Sequence, residues 1–456
     1  MIGWHIKSKC RIKLTAVGFY FYYLKFPFFG ILWDITLGLL YNKVKVCDDM
    51  RWLMFIRLFK QIFSKKRLPD LDYIQKQGLL AVKIAQTFAL RIDFLNEATC
   101  THLSKLYTRT TPIEGEDFKV LLKQYTDETW LSQFKTIEET PIGSASVGQV
   151  HRATLLNGEE VVIKFIKKDF KKKFERDVRS LRRFIKFIIF FYPKLAKVAD
   201  PVGILEHIET YTLAELDLRN EISHGDILKD IYQKHKDQFD LSRLKFPVIY
   251  KALSNEHVLV SEFIEGKTVD DLLEEKAMPF EDILEIFHIH GFYIFIVGTF
   301  HGDLHPGNLI KKGNDFYFID TGAISEVGKK IQMGLFEFME KLAYYDFDGC
   351  AIALNHMASK EIHGKAYDAY YIKLLDLYKD FRGKSVSEVS LTRKMMETIK
   401  LGVNSGMVFE KGMFPIIKSM MYLDGMVLKG APDTVLMIEM RRFLEEFHKA
   451  NEAINV

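Results

Sequence analysis

In the segment RWLMFIRLFKQIFSKKR, Trp52, Phe55, Ile56, Phe59, Ile62 and Phe63 recur at helical spacing, with Arg57, Lys60 and Lys65 elsewhere around the turn. That pattern predicts a basic amphipathic helix. Before it, apolar runs starting at Leu14 are interrupted by Lys25 and then Asp34, so none reaches the roughly 18 uninterrupted residues of a spanning helix. Further along the periodicity changes. Glu160-Val161-Val162-Ile163-Lys164 reads as a strand with one lysine in an apolar context, and HVLVSEFIEG, 257–266, as a strand running into a glycine-containing connector. FYFID, 316–320, reads as a third. Between Pro141 and His151, Gly143 and Gly148 permit a tight turn between strands, with Ser144, Ala145 and Ser146 at its tip. From about 330 to 450 the sequence is amphipathic and helical. These elements together predict an α+β protein.

Charge divides the chain. The 456 residues carry a formal +4, but residues 1–69 hold 13 basic and 3 acidic side chains, leaving 51 basic and 57 acidic in the remainder. The amino-terminal segment therefore reads as a membrane-associated piece, held to anionic lipid by apolar burial and by attraction of lysine and arginine to phosphate. A helix packed on its own domain is the alternative. Basic residues that alternate with long apolar blocks do not fit nucleic acid. No small-residue cleavage site follows the first apolar run, so a signal peptide is not expected. The length suggests about three structural units. Cys10, Cys47, Cys100 and Cys350 form no CxxC pair, which fits a reduced, cytosolic setting.

The chemistry concentrates in FHGDLHPGNLIKKGNDFYFIDTGAI, 300–324, where Asp303 and Asn308 lie five apart and Asp320-Thr321-Gly322 follows twelve residues later. Phosphoryl transfer needs such a set: one carboxylate to take or orient the acceptor's proton, and an amide oxygen with a second carboxylate to hold Mg²⁺ against ATP. The spacing resembles the protein-kinase order H-R-D-L-x-x-x-N then D-F-G, with Gly302 for Arg and Thr321 for Phe. His301, Asp303 and His305 could alternatively be metal ligands. Lys164 then takes the place of the lysine that contacts phosphate, and its partner is a helix glutamate, Glu215 or Glu221. The backbone near Glu262 and Ile264 is where kinases join their lobes and meet adenine.

These motifs, with Lys83-Ile84-Ala85-Gln86, the loop Gly143-Ser144-Ala145-Ser146, VGQVHRA and Glu215-Leu216-Asp217, resemble the UbiB (AarF/ADCK) family of atypical protein-kinase-like proteins over about residues 70–430. The resemblance implies a two-lobe kinase-like fold with a small β-rich N-lobe, a helical C-lobe and a helical amino-terminal extension. Its expected divisions are 1–69 (membrane-associated segment), 70–140 (extension with a KxGQ-like motif), 141–265 (N-lobe) and 266–456 (C-lobe). It implies ATP and Mg²⁺ as ligands, Lys164 paired with Glu221, and Lys83 tied to Glu215, with Gln86, Arg91, Asp93 and Asp217 nearby. The helix carrying Lys83 would then cover the peptide entrance. That would favour ATP hydrolysis or action on a small or lipid acceptor, connected through the family with coenzyme Q (ubiquinone) biosynthesis at the cytoplasmic face of a membrane. The expected partners are quinone-pathway or isoprenoid lipids and proteins, without nucleic acid. The carboxy terminus is polar, so membrane contact is expected from residues 1–69. HGDLHPGNL also resembles aminoglycoside and choline kinases, and a nucleotide-binding pseudokinase scaffold is the third reading.

Overall fold

The computed structural model describes residues 51–454, apart from 65, 90–94, 107–111, 114, 168–169, 194–200 and 410–412. The apolar runs before residue 51, Lys65, Arg91 and Asp93 lie outside the described residues. The backbone divides into two units, Met1–Lys60 and Gln61–Val456. The described part of the first is Arg51–Lys60, the greater part of helix α1 (Arg51–Ile62), which keeps the expected amphipathic order, with Phe55 and Leu58 buried and Arg57 and Lys60 exposed. It stops earlier than the sequence pattern suggests because Ser64 opens a turn, its Oγ accepting from the Arg67 N–H at 3.3 Å.

The second unit begins with helices, among them α2 (Leu79–Ala89) and α3 (Gly115–Tyr125). An antiparallel sheet follows from β1 (Phe134–Ile137), β2 (Gly143–Ser144), β3 (Gly148–Leu155) and β4 (Glu160–Ile166). Burial along β3 alternates residue by residue, as a two-residue side-chain period requires. On β4 the residues Val161, Ile163 and Phe165 point into a core with Phe118 and Leu122 of α3. Lys164 therefore faces the opposite side of the sheet. Gln149 is fully buried and clamps the preceding chain: its Oε1 accepts from the Ile113 N–H at 2.8 Å, and its Nε2 donates to the Ile113 carbonyl at 2.7 Å.

Three long helices come next, α4 (Lys171–Phe191), α5 (Pro201–Glu215) and α6 (Leu218–His235), the last capped by Asp217. Strand β5 (Leu244–Lys245) joins a second sheet, while β6 (Val258–Glu262) closes the first beside β4, with Leu259 opposite Lys164. At the connector, a Cβ on Gly266 would sit 2.5 Å from the Lys311 carbonyl oxygen, so glycine lets the backbone cross this close. The second sheet runs β5, β10 (Asp315–Phe318), β9 (Leu309–Lys312) and β7 (Lys267–Thr268), and β8 (Thr299–His301) pairs with β11 (Ile324–Glu326).

Helix α7 (Phe280–Gly291) passes into a buried π-helical turn, Phe292–Val297, inside the large second core. The carbonyls of Phe295 and Ile296 accept from Gln332 Nε2 at 2.9 and 2.7 Å. Gly298, at φ +84°, then turns the chain directly into β8 and the Asp303 loop. The remaining helices, including α8 (Met413–Gly430) and α9 (Arg441–Ile454), complete a helical lobe. The fold is α+β and kinase-like, a small sheet lobe and a helical lobe with a helical extension before them. Among the described residues no helix is long and apolar enough to cross a membrane.

Candidate active site

Lys164 Nζ lies 2.7 Å from Glu221 Oε2 and 2.8 Å from Asp320 Oδ2. One cation on a strand thus joins a helix carboxylate and a loop carboxylate that are far apart in sequence. Burial opposes the lysine's charge, but Asp320 and Glu221 outweigh it and raise the pKa. Burial pushes the Glu221 carboxyl up to about 7, with Lys164 opposing and the charge of Asp320 adding. For Asp320, Lys164 and the Gly322 N–H overcome burial and hold the pKa below its usual value.

The Asp320-Thr321-Gly322 segment is fixed from several sides. Asp320 Oδ1 accepts from the Gly322 N–H at 3.0 Å, and the Thr321 hydroxyl donates to the Glu221 carbonyl at 2.8 Å. Gly225 makes room for that hydroxyl, since a Cβ there would stand 3.0 Å from Thr321 Oγ1. His301 links this segment to the catalytic-type loop: its Nδ1 accepts from the Asp303 N–H at 3.1 Å, while its Nε2 donates to the Asp320 carbonyl. Both ring nitrogens are spent on backbone. In this arrangement His301 has no ring nitrogen left for a metal shared with Asp303 and His305, and no three-residue His, Cys, Asp or Glu cluster for a metal occurs among the described residues.

Asn308 donates its side-chain amide to the Asp303 carbonyl at 3.0 Å, leaving its oxygen as the acceptor end. The turn at residues 143–148 is the expected hairpin, with the Ala145 N–H on the Gly148 carbonyl at 2.9 Å, Ser144 and Ser146 half-buried and Ala145 exposed. Its glycines are not equivalent. A Cβ on Gly148 would meet the Phe165 carbonyl oxygen at 2.9 Å, whereas Gly143 has open space around it, so only Gly148 is needed by the turn. At the connector, the Glu262 and Phe263 N–H groups are committed to the Val248 and Glu160 carbonyls at 2.8 and 3.1 Å, and Ile264 is buried just beyond them.

In the extension, Lys83 pairs with Glu215. Gln86 is buried and donates to the Leu106 carbonyl at 2.9 Å, and Asp217 binds Arg219 through both carboxylate oxygens, at 2.9 and 2.7 Å. Gln86 thus ties α2 to the chain at Leu106, while Asp217 fixes the start of its own helix α6 just beyond Glu215.

A sequence profile described as "ABC1 atypical kinase-like domain" matches residues 105–354, more than half of the chain. The chain belongs to this ABC1 family. Among its relatives, an "Uncharacterized protein in hydrogenase 1 5'region" of Clostridium pasteurianum is 24% identical over 362 residues, 79% of this chain and 67% of that one. A "Probable protein kinase UbiB" of Vibrio vulnificus is 25% identical over 389 residues, 82% of this chain and 69% of the relative. A protein of the same description from Xylella fastidiosa is 24% identical over 399 residues, covering 83% and 69%. The UbiB resemblance of the motifs thus extends over most of the chain.

The ABC1 site also contains residues that the sequence did not single out. Lys418 Nζ lies 2.7 Å from Asp303 Oδ1, and the Tyr422 hydroxyl donates to the same oxygen at 2.9 Å; both come from α8. Burial would raise the Asp303 carboxyl, but Lys418 more than reverses this and holds it at about 2. Tyr211 of α5 meets the other side of the loop. Its hydroxyl is 2.5 Å from Ser325 Oγ, and a Cβ on Gly302 would fall 2.6 Å from the tyrosine oxygen. That explains why glycine stands where the kinase pattern has arginine. Helix α5 thus binds Lys83 of α2 through Glu215 and lies against the Asp303 loop through Tyr211. None of these contacts leaves a local sequence motif, apart from the Lys418-to-Tyr422 spacing of one helical turn.

Proposed function

We propose that this ABC1 chain binds ATP with Mg²⁺ and hydrolyses it or transfers a phosphoryl group to a small or lipid-like acceptor. The observation that carries this reading is Lys164 held between Glu221 and Asp320 at 2.7 and 2.8 Å. Glu221 positions the lysine so that its ammonium can hold phosphate. The Asn308 oxygen and the Asp320 carboxylate are hard oxygen donors of the kind Mg²⁺ takes, and the ion, when bound, would neutralise charge on the phosphates. Gly143, Ser144, Ala145 and Ser146 would lie over the phosphates. Glu262 and Ile264 would flank adenine, with the Ile264 backbone the better candidate because the two preceding N–H groups are already bonded.

Asp303, held at about 2, is a fully ionised but weak base at neutral pH. That favours orienting an acceptor hydroxyl or water over removing its proton early, and a loose phosphoryl transition state asks for little more. Lys418 and Tyr422 act by positioning Asp303. The Lys83–Glu215 pair and Tyr211 support a regulatory cover over the loop that excludes peptide substrates, with Gln86 anchoring α2 and Asp217 capping the helix that follows Glu215.

The relatives named UbiB and the motif resemblance support a role near ubiquinone or related isoprenoid-lipid metabolism. The basic composition of residues 1–69 supports attachment to anionic lipid at the cytoplasmic face of a membrane. The test is Mg²⁺-dependent ADP release by the purified chain, with and without anionic liposomes, beside Asp320→Asn. The reading expects release in the wild type and its loss in the variant; equal signals would overturn it.

A further inference from the structure

Helix α4 is the most basic element of the described chain, with eight lysines and arginines against Glu175 and Asp177. One of its faces is structural. Phe174, Val178, Leu181, Ile185 and Ile188 are buried where the helix packs on α5 and α2. The opposite face carries Lys172, Arg176, Arg179, Arg183 and Lys186 in a continuous exposed stripe at three- and four-residue spacing. At its carboxy-terminal end that stripe becomes aromatic. Phe187, Phe190 and Phe191 are 43%, 78% and 56% exposed, and Phe191 meets the rings of Phe187 and Phe190 at 5.1 Å each.

Among the described residues, Lys172, Arg176, Arg183 and Lys186 have no carboxylate within ion-pair distance, and Arg179 has only Glu175 at 3.9 Å on its own helix. Three clustered phenylalanines left in water form an exposed apolar patch that the packing of the fold does not use, and such a patch marks an interaction surface. A nucleic-acid groove would use the cations but leave the phenylalanine tip without a purpose. An anionic bilayer uses both: headgroup phosphates take the lysines and arginines, and the rings enter the acyl boundary. Helix α1 differs in this respect, since its Phe55, Leu58 and Ile62 are already buried.

We propose that the exposed face of α4 is a docking surface for an anionic lipid bilayer, entered phenylalanine tip first. This contact lies in the second unit and adds to any attachment through residues 1–69. It does not depend on phosphoryl transfer. Because α4 packs on the two helices that carry Lys83 and Glu215, the bilayer would stand one helix away from the pair bracing the Asp303 loop.

The test reads the environment of residue 190 itself, because residues 1–69 could bring the chain to vesicles unaided. The full chain, with Cys10 and Cys47 changed to Ser and Phe190→Cys labelled with an environment-sensitive fluorophore, leaves Cys100 and Cys350 buried. With phosphatidylcholine–phosphatidylglycerol vesicles the label should shift to the blue and be quenched by lipids spin-labelled in the acyl chain. Pure phosphatidylcholine should produce little change. Lys172→Glu with Arg176→Glu and Arg183→Glu should weaken the response about a hundredfold or more. In the unlabelled chain, Phe187→Ser with Phe191→Ser should weaken binding without lowering the melting temperature. Co-sedimentation with the label still in water would overturn the proposal, placing the contact elsewhere. An apolar label environment before vesicles are added would overturn it too, showing that the face is covered by this chain or, if concentration-dependent, by a second copy. A label response to duplex nucleic acid but not to vesicles would assign the surface to nucleic acid instead.

Discussion

Lys418 reaches from α8 to set its ammonium 2.7 Å from Asp303 Oδ1, with Tyr422 of the same helix on the same oxygen. A charge-assisted bond of this kind contributes about 1.5–3 kcal/mol. If the carboxylate must be held to orient the acceptor, Lys418→Met should lower kcat for ADP release by roughly 10- to 100-fold. The KM for ATP should change little, because Lys418 does not touch the Lys164 pairs. Lys418→Arg should recover part of the rate. An unchanged kcat in Lys418→Met would remove the residue from the account.

The Lys83–Glu215 pair braces α2 against α5, and α5 lies on the Asp303 loop. Loosening it should open the loop to protein acceptors. Lys83→Ala and Glu215→Ala are each expected to raise incorporation of labelled phosphate into the chain itself or into an added peptide. Labelling that matches the wild type in both would count against a gating role.

Gly302 has no space for a side chain, with Ser325 Oγ at 2.5 Å and the Tyr211 oxygen at 2.6 Å from an added Cβ. Gly302→Ala should therefore cost about 1–3 kcal/mol of stability in urea unfolding, and it should slow ADP release because the shift occurs next to Asp303. Tyr211→Phe in the same chain removes one of the obstructing atoms. The double variant should be more stable than the sum of the single changes predicts; strict additivity would mean that Tyr211 is not the obstacle.

His288 gives the helical lobe a pH dependence of its own. Burial disfavours its charge, but Glu285 and Glu446, at 3.9 and 3.2 Å, outweigh burial and raise the imidazole to about 9. A raised folded-state pKa contributes stability that is fully present below about 6.5 and is lost as pH rises through about 9. The contribution is roughly 3 kcal/mol at most. Urea unfolding at pH 6 and pH 10 should show this loss, and His288→Gln should flatten it; a parallel decline in both chains would assign the effect to other groups.

The parts legible in the sequence are those whose chemistry is local. The alternation in VVIK puts Val161 and Ile163 on one face and Lys164 on the other, and the structure follows it. The spacing of Asp303, Asn308 and Asp320 marks a loop and strand end that His301 then ties together, a link no spacing could show. Lys418 and Tyr422 were hidden because they approach Asp303 from more than a hundred residues away, on a helix that otherwise reads as amphipathic. Gly302 departs from the kinase pattern because Tyr211, distant in sequence, fills the place of a side chain. Exposure was least legible of all. The apolar residues of α1 and the phenylalanines of α4 look alike in sequence, yet Phe55 is buried and Phe190 is 78% exposed.

The proposed function rests on Lys164, set between Glu221 and Asp320, receiving ATP with Mg²⁺. Titration calorimetry of the full chain with ATP, with and without Mg²⁺, beside Lys164→Met, tests it directly. Mg²⁺-dependent binding is expected for the wild type, with at least a tenfold weaker affinity, about 1.4 kcal/mol, in the variant. Equal affinities in the two chains, or no binding by the wild type, would contradict it.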